Sequence, residues 1–401
     1  MAITGDFFSE KREWSKLKDQ ILDHYLSPYL AKITMNGYPT RIADCFAGKG
    51  AFDDGSEGSP LIIARRVGEA KSFPHPHNSD VKAVFIENKY VAELQGNIAQ
   101  KPGCEVIPGE YETCVKSFLT SPIRDRNYFF YVDPYGVKSL DFHYFSGLRD
   151  ANFQTLELLI NLNTTGFLRE GSRLLKLDLQ VPDWADDLDY EKDGLNTTDR
   201  MNEIAGGDYW QEVLKSYKRD EIDFHEAEEA FIAGYLQRLD QLFAFTISVL
   251  IMERSHHMPK YRLVFATNHH SGFILMATEM NKAWQSVLSN EPDGQLTLFD
   301  DATLKGTSIQ DRIMAEIASP SELRELLICL IRKYGFYHSP ADYKRAIKEG
   351  EGTLFSVTRE PATTKTGRLS TSMDYETSTI LVGTGPRISK KSVNMKQPDL
   401  L

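Results

Sequence analysis

Two short polar segments, each following an apolar run, are the places where this sequence could do chemistry. Residues 40–50 read TRIADCFAGKG, an apolar run that leads into Asp44, Gly48 and Gly50. A second apolar run ends YFFYVDPYG at residues 128–136. Glycines after a strand permit positive φ in a tight turn and let the backbone approach a ligand at the start of a helix. The pair predicts a nucleotide-type cofactor pocket with a polar strand tip pointing into it.

The elements that would position these segments are short apolar runs alternating with helix-length stretches, after an amphipathic helix over 14–33. The runs are IADCF (42–46), VKAVFIE (81–87), CEVIP (104–108), YFFYV (128–132) and LELLINL (156–162). Such alternation predicts βαβ crossovers, and so an α/β fold with a doubly wound, mostly parallel sheet. Ligands of these sheets bind beyond the carboxyl ends of the strands, where both polar segments lie.

Two further apolar runs, at residues 243–252 and 261–268, lie too close in sequence for a parallel crossover. They must pair antiparallel, which predicts five parallel strands followed by a hairpin. This arrangement resembles the class I S-adenosylmethionine (SAM) dependent methyltransferase fold, whose sheet ends in a reversed strand. The resemblance covers roughly residues 38–290.

The C-terminal quarter has a different pattern: helices at about 308–318, 321–334 and 339–350, then TLFSVTREP and the turn TTKTGRLSTS. Three helices followed by a β-hairpin resemble a winged helix, whose third helix and wing contact DNA or RNA. The basic residues at those positions are Lys344, Arg345, Lys348, Lys365 and Arg368. The alternative is a docking module that contacts another protein, and the sequence favours neither.

The chain is therefore divided into five predicted parts. They are a helical leader (1–37), a methyltransferase-like domain (38–290), a linker (291–307), a winged-helix-like domain (308–386) and a flexible tail (387–401). The second part carries an acidic helical insertion at about 165–225, which we interpret as a cap with loops and, most simply, as a solvated decoration.

Charge is unevenly distributed along the chain, whose formal net charge is −11. Residues 170–230 contain 18 Asp and Glu against 7 Lys and Arg and account for the whole deficit. Residues 305–401 contain 15 basic against 11 acidic side chains. A mildly basic C-terminal domain is compatible with a nucleic-acid partner.

The composition indicates an ordinary globular protein, with 41% hydrophobic residues. The sequence shows no run of eighteen apolar residues and no signal-peptide pattern, so we expect a cytoplasmic protein without a membrane partner. Its 4 cysteines lack C-x-x-C spacing, which predicts reduced thiols. The pairs His256–His257 and His269–His270 are interpreted as solvated loop residues, and we predict no metal site.

The resemblance to class I methyltransferases implies a set of cofactor-binding residues. The methionine moiety would lie over the first glycine-rich turn, an acid after the second strand would hold the ribose, and the third strand end would meet the adenine. The implied residues are Asp44, Phe46, Ala47, Gly48, Gly50, Ser59, Glu87, Gly109 and Glu110. For Glu87 the alternative role is a cap at the start of the following helix.

Asp133-Pro134-Tyr135-Gly136 resembles the D/N-P-P-Y/F tetrapeptide of amino methyltransferases. The resemblance implies that Asp133 and the Pro134 carbonyl accept hydrogen bonds from an exocyclic amine and that Tyr135 stacks on a base, which must be unstacked or flipped out. This chain has one proline and an earlier aromatic residue, as in the DPYG of guanine-N2 tRNA methyltransferases, which weakens an adenine-N6 assignment. The alternative is an Asp-Pro strand cap in a tight turn.

The segments DCFAGKGAF, GSPL, VFIE, YVDPYGVKSL, LINLNTTGFLR and YRLVFATNHHSGF together resemble the three-Cys-motif partner family (TcmP). This is a bacterial methyltransferase-like group found beside a three-cysteine, radical-SAM-like protein, and it often ends in a winged helix. The resemblance implies SAM as cofactor, that protein as partner, and methyl transfer to a nucleic-acid base or related amine. Two alternatives stay open: a non-catalytic methyltransferase-like scaffold, and a nucleic-acid-binding regulator.

Overall fold

The computed structural model describes residues 11, 13–73, 80–120, 123–177, 197–251, 261–289 and 307–385. Two compact units divide the chain, Met1–Phe299 and Asp300–Leu401, which we call the N-terminal and C-terminal units. The predicted linker, apart from residue 307, and the predicted tail lie outside the described residues.

A seven-stranded sheet forms the centre of the N-terminal unit, in the order β3-β2-β1-β4-β5-β7-β6. The strands are β1 (Thr40–Asp44), β2 (Val81–Glu87), β3 (Cys104–Pro108), β4 (Asn127–Val132), β5 (Thr155–Leu162), β6 (Phe245–Ile251) and β7 (Tyr261–Thr267). Strands β1 to β5 pair in parallel, and β7 runs antiparallel to both β5 and β6. The predicted mostly parallel sheet with a reversed final strand is confirmed, and it is consistent with the class I methyltransferase fold.

The strand order reverses between β1 and β4, because β2 and β3 continue on one side and β5 on the other. This reversal is the topological switch point at which open α/β sheets bind ligands. Asp44 ends β1 and Asp133 directly follows β4, so both predicted polar tips lie there.

Eleven described elements of helix surround this sheet. They are α1 (Glu13–Ile33), a 3₁₀ turn (Thr34–Asn36), α2 (Ser59–Ala70), α3 (Val91–Ile98), α4 (Tyr111–Thr120), α5 (Phe142–Asp150), α6 (Thr164–Leu174), α7 (Thr198–Ala205), α8 (Tyr209–Lys218), α9 (Phe224–Leu239) and α10 (His270–Ser289). Within the described residues, no helix combines the length and apolar character that crossing a membrane requires.

Helix α1 is built into one face of the sheet. Its buried residues recur at helical spacing, and the rings of Tyr25 and Tyr29 lie 5.8 and 5.6 Å from the ring of Phe129 on β4. Contacts with α2 and α10 flank it on either side. The helix runs opposite to the parallel strands, because Lys18 meets the carboxyl end of β4 whereas Tyr25 meets Glu157 near the start of β5.

Glu157 is a buried carboxyl group beneath α1. The Tyr25 hydroxyl donates to its Oε2 at 2.6 Å, and a Cβ on Gly272 would come 2.4 Å from its Oε1, which explains the glycine there. Burial raises the pKa of Glu157 to about 7, although the hydroxyls of Tyr25 and Thr267 act against this shift.

The opposite face of the sheet packs against the described insertion helices and against α9, the helix that follows the insertion. Trp210 on α8 and Phe231 on α9 are fully buried, and both lie within 6 Å, ring to ring, of Phe167 on α6. A capping box between Asp223 and Glu226 starts α9. The interpretation of this stretch as a solvated decoration is therefore wrong for its described helices, which supply part of the main core.

The C-terminal unit has its own core and a three-stranded antiparallel sheet in the order β8-β10-β9. Its elements are α11 (Ile309–Glu316), β8 (Ser321–Glu322), α12 (Leu323–Tyr334), α13 (Pro340–Glu349), β9 (Phe355–Glu360) and β10 (Thr379–Thr384). The three predicted helices are present. The two-residue strand β8 was not predicted and occupies the expected start of α12.

Candidate functional site

Asp44 at the end of β1 is completely buried. Its Oδ2 accepts a hydrogen bond from the Ser59 hydroxyl at 2.7 Å, and its Oδ1 accepts one from the Phe46 amide at 3.2 Å. Burial raises the pKa of Asp44 to about 7, against the effect of these two neutral donors, and the negative charge of Asp133 adds to the rise. Ser59, which the resemblance implies as a cofactor-binding residue, thus contacts the carboxyl group at the tip of β1 directly.

The glycine-rich turn needs glycine at both predicted positions. Gly48 and Gly50 have φ of 64° and 88°, a region that side chains disfavour, and a Cβ on Gly50 would lie 3.1 Å from Leu94 Cδ1. The Gly58 amide donates to the Gly50 carbonyl at 2.9 Å. Residues 51–58 therefore loop out and return to the turn before α2 begins.

Glu87 at the end of β2 connects this turn to α3. Its Oε2 accepts from the Gly48 amide at 2.6 Å, and its Oε1 accepts from the amides of Lys89 and Tyr90 at 2.7 and 3.0 Å. Tyr90 is the N-cap of α3, so Glu87 does not cap the helix and instead holds the short loop before it. One acceptor position on Oε2 remains for a ligand hydroxyl, since a carboxylate oxygen accepts two hydrogen bonds.

The remaining predicted cofactor residues lie around the same strand ends. The Ala47 amide donates to the Ile86 carbonyl at 3.1 Å, and the Gly109 amide donates to the Glu87 carbonyl at 2.9 Å. Glu110 accepts from Cys114 at the first turn of α4 through its carbonyl, at 3.0 Å. The Phe46 ring packs 5.0 Å from the ring of Tyr111, the first residue of α4. The tips of β1, β2 and β3 therefore form one continuous edge.

Asp133, the predicted acceptor-side carboxylate, is already engaged by three side chains. Lys18 of α1 and the Tyr131 hydroxyl, the latter at 3.2 Å, donate to Oδ2. The Asn161 amide of β5 donates to Oδ1 at 2.7 Å. The Asp133 side chain keeps 19% of its surface exposed. Its carboxylate is therefore fixed in orientation by three side chains, and its predicted role as an acceptor for a substrate amine stays a prediction.

Lys18 belongs to an alternating row of charges. Burial alone would lower the pKa of Lys18, but the negative charges of Asp133 and Asp19 raise it. Asp19 pairs with Lys11 at 2.7 Å, and the Lys11 ammonium also donates to the Glu57 carbonyl at 2.6 Å. The row thus joins the loop after the glycine-rich turn to the tip of β4.

The charges of this cluster fit a cationic cofactor. Lys11 pairs with Asp19 and Lys18 pairs with Asp133, so Asp44 has no cationic hydrogen-bond partner among the described residues. The charge of Lys18 lowers the pKa of Asp44 but offsets only part of the rise that burial causes. A buried carboxylate of this kind is stabilised by an added positive charge. SAM carries a positive sulfonium and matches this requirement.

The rest of the DPYG segment is more open. Pro134 is buried, whereas the Tyr135 side chain is 55% exposed at the carboxyl edge. Gly136 has φ of 100°, so the tight turn after Tyr135 requires glycine.

Sequence reasoning missed Lys18, Asn161 and the row of charges. A signal for Lys18 exists, because it lies three, four and seven residues before the buried Ile21, Leu22 and Tyr25, within the apolar stripe of α1. Asn161 is likewise a polar residue in the otherwise apolar end of a buried strand.

The predicted basic residues of the C-terminal unit fall on two elements. Lys344, Arg345 and Lys348 lie on α13, where Arg345 pairs with Asp342 and the Lys344 ammonium lies 5.6 Å from the Tyr375 ring centre. Lys365 and Arg368 are exposed in the turn closed by the bridge between residues 363 and 369.

The predicted loop histidines fall on both sides of the described boundary. His256 and His257 lie outside the described residues. The rings of His269 and His270 stack 4.7 Å apart at the start of α10.

Comparison with known proteins yields distant structural neighbours. No protein-family model matches the chain, and no curated protein matches it. A conserved hypothetical protein of Streptococcus pyogenes aligns with 17% identity over 35% of this chain and 77% of its own, with a TM-score of 0.23. Spermidine synthase of Thermotoga maritima aligns with 9% identity over 67% of this chain and 65% of its own, with a TM-score of 0.34.

The plantazolicin methyltransferase BamL aligns with 10% identity over 65% of this chain and 87% of its own, with a TM-score of 0.31. The fold assignment rests on the strand order and strand directions described above.

Proposed function

We propose that this protein is a SAM-dependent methyltransferase that acts on a nucleic-acid base or a related amine. One observation carries the proposal: the fully buried Asp44 at the end of β1 and the partly exposed Asp133 after β4 place two carboxyl groups at the switch point of the sheet. The glycine-rich turn with positive φ at Gly48 and Gly50 supports a nucleotide-type ligand beside it.

The residues divide into a cofactor side and an acceptor side. When bound, SAM would supply an electrophilic methyl group. Asp44, Gly48, Gly50 and Glu87 would hold it, with Phe46, Ala47, Ser59, Gly109 and Glu110 along the same edge. Asp133 and the Pro134 carbonyl would orient the accepting nitrogen, and Tyr135 would stack on the ring that carries it. Holding the two reacting groups in line is the main source of rate in such a site.

We propose that the C-terminal unit is a winged helix that contacts DNA, RNA or a partner protein. Its helix order and its sheet order β8-β10-β9 support this assignment, as does the placement of basic residues on α13 and in the turn. Membership of the three-Cys-motif partner family, the radical-SAM-like partner and a cytoplasmic location are parts of the same proposal and rest on the sequence motifs.

A non-catalytic, methyltransferase-like scaffold is the second candidate, and one observation favours it. Lys18, Tyr131 and Asn161 occupy three of the four acceptor positions of Asp133. A carboxylate with three such hydrogen bonds can stabilise the end of a strand without contacting a substrate.

Calorimetry separates the proposals at the first step. We expect SAM and S-adenosylhomocysteine to bind the full-length protein with measurable heat, and radiolabelled methyl groups from SAM to enter nucleic acid extracted from a bacterium. Absence of heat at millimolar ligand contradicts the cofactor proposal. Binding without transfer to nucleic acid or to the partner protein favours the scaffold.

A further inference from the structure

The loop between β4 and α5 carries the exposed ring of Tyr135 and is held at both ends. At its start, Asp133 accepts hydrogen bonds from three side chains. At its end, Asp141 is 4% exposed and caps α5 by accepting from the His143 amide at 2.9 Å. The segment that presents Tyr135 therefore spans two carboxylates of fixed position.

Arg200 on the insertion helix α7 contacts this loop with two nitrogens. Its Nη2 donates to the Lys138 carbonyl at 2.7 Å, and its Nη1 donates to Asp141 Oδ2 and to Glu203 Oε2, the latter at 2.6 Å. Burial alone would raise the pKa of Asp141, but the hydrogen bonds from the His143 amide and from Arg200 hold that pKa below its usual range. Asp141 is thus a charged group with Arg200 as a cationic partner.

A second polar contact ties the same loop to α4. The Ser139 hydroxyl donates to the carboxylate of Glu112, which lies in the first turn of that helix. The side chains of Val137 and Leu140 are buried in the main core. Apolar packing fixes the depth of a loop, whereas a hydrogen bond is directional and fixes the peptide plane that carries the acceptor. The bond to the Lys138 carbonyl therefore sets the orientation of the backbone here.

The direction of the Tyr135 ring depends on these distant contacts because of its neighbour. Gly136 follows Tyr135 with φ of 100°. Glycine adopts more backbone conformations than any other residue, so the residue itself imposes little direction on the segment before it. The restraint on Tyr135 must come from the contacts on either side of the glycine, and Arg200 supplies two of those that follow it.

We propose that Arg200 is a positioning residue of the acceptor site: through the Lys138 carbonyl and Asp141 it holds the loop that presents Tyr135. The inference deepens the proposed function and rests on it, because Tyr135 is the residue proposed to stack on the methyl-accepting ring. The insertion helix α7 thereby controls the acceptor side, while the cofactor residues at the ends of β1 and β2 are held by contacts of their own.

The test follows the Tyr135 ring and its loop in the full-length protein. Tyr135 is replaced with 3-fluorotyrosine, its fluorine NMR resonance is recorded, and hydrogen exchange of residues 136–140 is measured by mass spectrometry. Arg200→Met should narrow the resonance and speed exchange in this loop by about tenfold or more, because it removes both donating nitrogens. The calorimetric affinity for S-adenosylhomocysteine should change by less than about threefold.

Arg219→Met is the matched control. Arg219 belongs to the same insertion and donates to two carboxylates, those of Glu212 and Glu221, but not to the loop. Its replacement should leave the resonance and the loop exchange as in the wild type. Arg200→Lys keeps the positive charge and offers one nitrogen in place of two, so it should fold and should still narrow the resonance.

The outcomes distinguish the inference from the function beneath it. An unchanged resonance and unchanged loop exchange in the Arg200 variants overturn the inference, and so does an equal change in Arg219→Met. A larger loss of S-adenosylhomocysteine affinity also overturns it, because Arg200 would then act on the whole unit. If Arg200→Met does not fold, Arg200→Lys decides alone. Failure of the wild type to bind S-adenosylhomocysteine overturns the proposed function instead, while the loop measurements still decide the role of Arg200.

Discussion

Lys18 and Asp133 form an ion pair between residues 115 positions apart in sequence, one on the leader helix and the other at the tip of β4. The lysine is almost completely buried, with 7% of its side chain exposed. Because α1 packs against the sheet, this contact fixes the orientation of Asp133, the residue proposed for the acceptor side. The helix that precedes the sheet in sequence therefore belongs to the site.

Replacing Lys18 with Met should destabilise the protein by roughly 3 kcal/mol, because it leaves Asp133 without its cationic partner, while Asp19 keeps Lys11. Lys18→Arg keeps the charge and should recover part of this loss. Urea unfolding followed by circular dichroism measures both, and Lys16→Met at an exposed position of the same helix is the control. Equal unfolding midpoints for Lys18→Met and Lys16→Met would show that the ion pair contributes little.

Asp133→Asn should separate acceptor function from cofactor binding. The amide cannot accept from Lys18 and Asn161 as a carboxylate does, so methyl transfer should fall below detection. SAM affinity should change by less than about tenfold, roughly 1.4 kcal/mol, because β1 and β2 carry the cofactor residues. Radiolabel transfer and calorimetry provide the two readouts. If the Asp133→Asn variant still transfers methyl groups to a competent substrate, the DPYG segment acts only as a strand cap.

Glu87→Gln should weaken SAM binding by roughly 1–3 kcal/mol. The substituted amide turns an NH₂ group toward the backbone amides of Gly48, Lys89 or Tyr90, which disturbs the turn as well as the ligand position. Glu93→Gln, exposed in the first turn of α3, is the control. If calorimetry gives the two variants SAM affinities within twofold of each other, Glu87 does not take part in binding the cofactor.

Glu157 should make the protein less stable as the pH rises. Its pKa is about 7 in the folded protein against 4.5 in the unfolded chain, so the neutral carboxyl stabilises the fold below pH 4.5 and this contribution is lost as the pH passes 7. The difference in unfolding free energy between wild type and Glu157→Gln should therefore change by roughly 3 kcal/mol between pH 5 and pH 8, in favour of the variant.

Burial also raises the pKa of Asp44, so Asp44 makes both the wild type and the variant less stable as the pH rises. Only the difference in unfolding free energy between the two proteins therefore reports on Glu157. Glu105→Gln, at an exposed position of β3, should show no change in its difference from wild type across this range. A pH-independent difference for Glu157→Gln would mean that the carboxyl keeps an ordinary pKa.

The basic residues of the C-terminal unit give a prediction that distinguishes its two partners. If α13 and the turn at residues 363–369 contact nucleic acid, affinity should fall steeply with salt, because each neutralised phosphate releases counterions. Lys348→Ala combined with Arg368→Ala should reduce the slope of log affinity against log salt by about 2. Fluorescence anisotropy of the full-length protein with a labelled duplex measures this slope. A salt-insensitive interaction would indicate docking to protein.

The sheet could be predicted because its strands are apolar runs with clear ends, and the reversed strand followed from the short spacing before 261–268. The glycine-rich turn could also be predicted, because its glycines directly follow the first apolar run in sequence. The partners of Asp133 could not, since Lys18 and Asn161 come from elements far away in sequence. A charged residue in an apolar helical stripe indicates a buried partner without naming it.

Two errors have specific physical causes. The acidic composition around residues 170–230 hid the fact that Trp210 and Leu214, four residues apart, form a buried stripe on α8. The strand β8 is only two residues long and is defined by its pairing with Leu381 and Val382. A pairing with residues so distant in sequence leaves no local sequence pattern from which the strand could be predicted.

The position of α1 also sets an order for folding. Its polar contacts reach across 115 residues from Lys18 to Asp133 and across 132 residues from Tyr25 to Glu157, so neither can form while the helix is the only part of the chain synthesised. Contacts of such sequence separation slow folding, because the connecting chain must be ordered before they form. The leader helix is synthesised before β4, and its buried Lys18 can pair with Asp133 only after β4 has been synthesised and has joined the sheet.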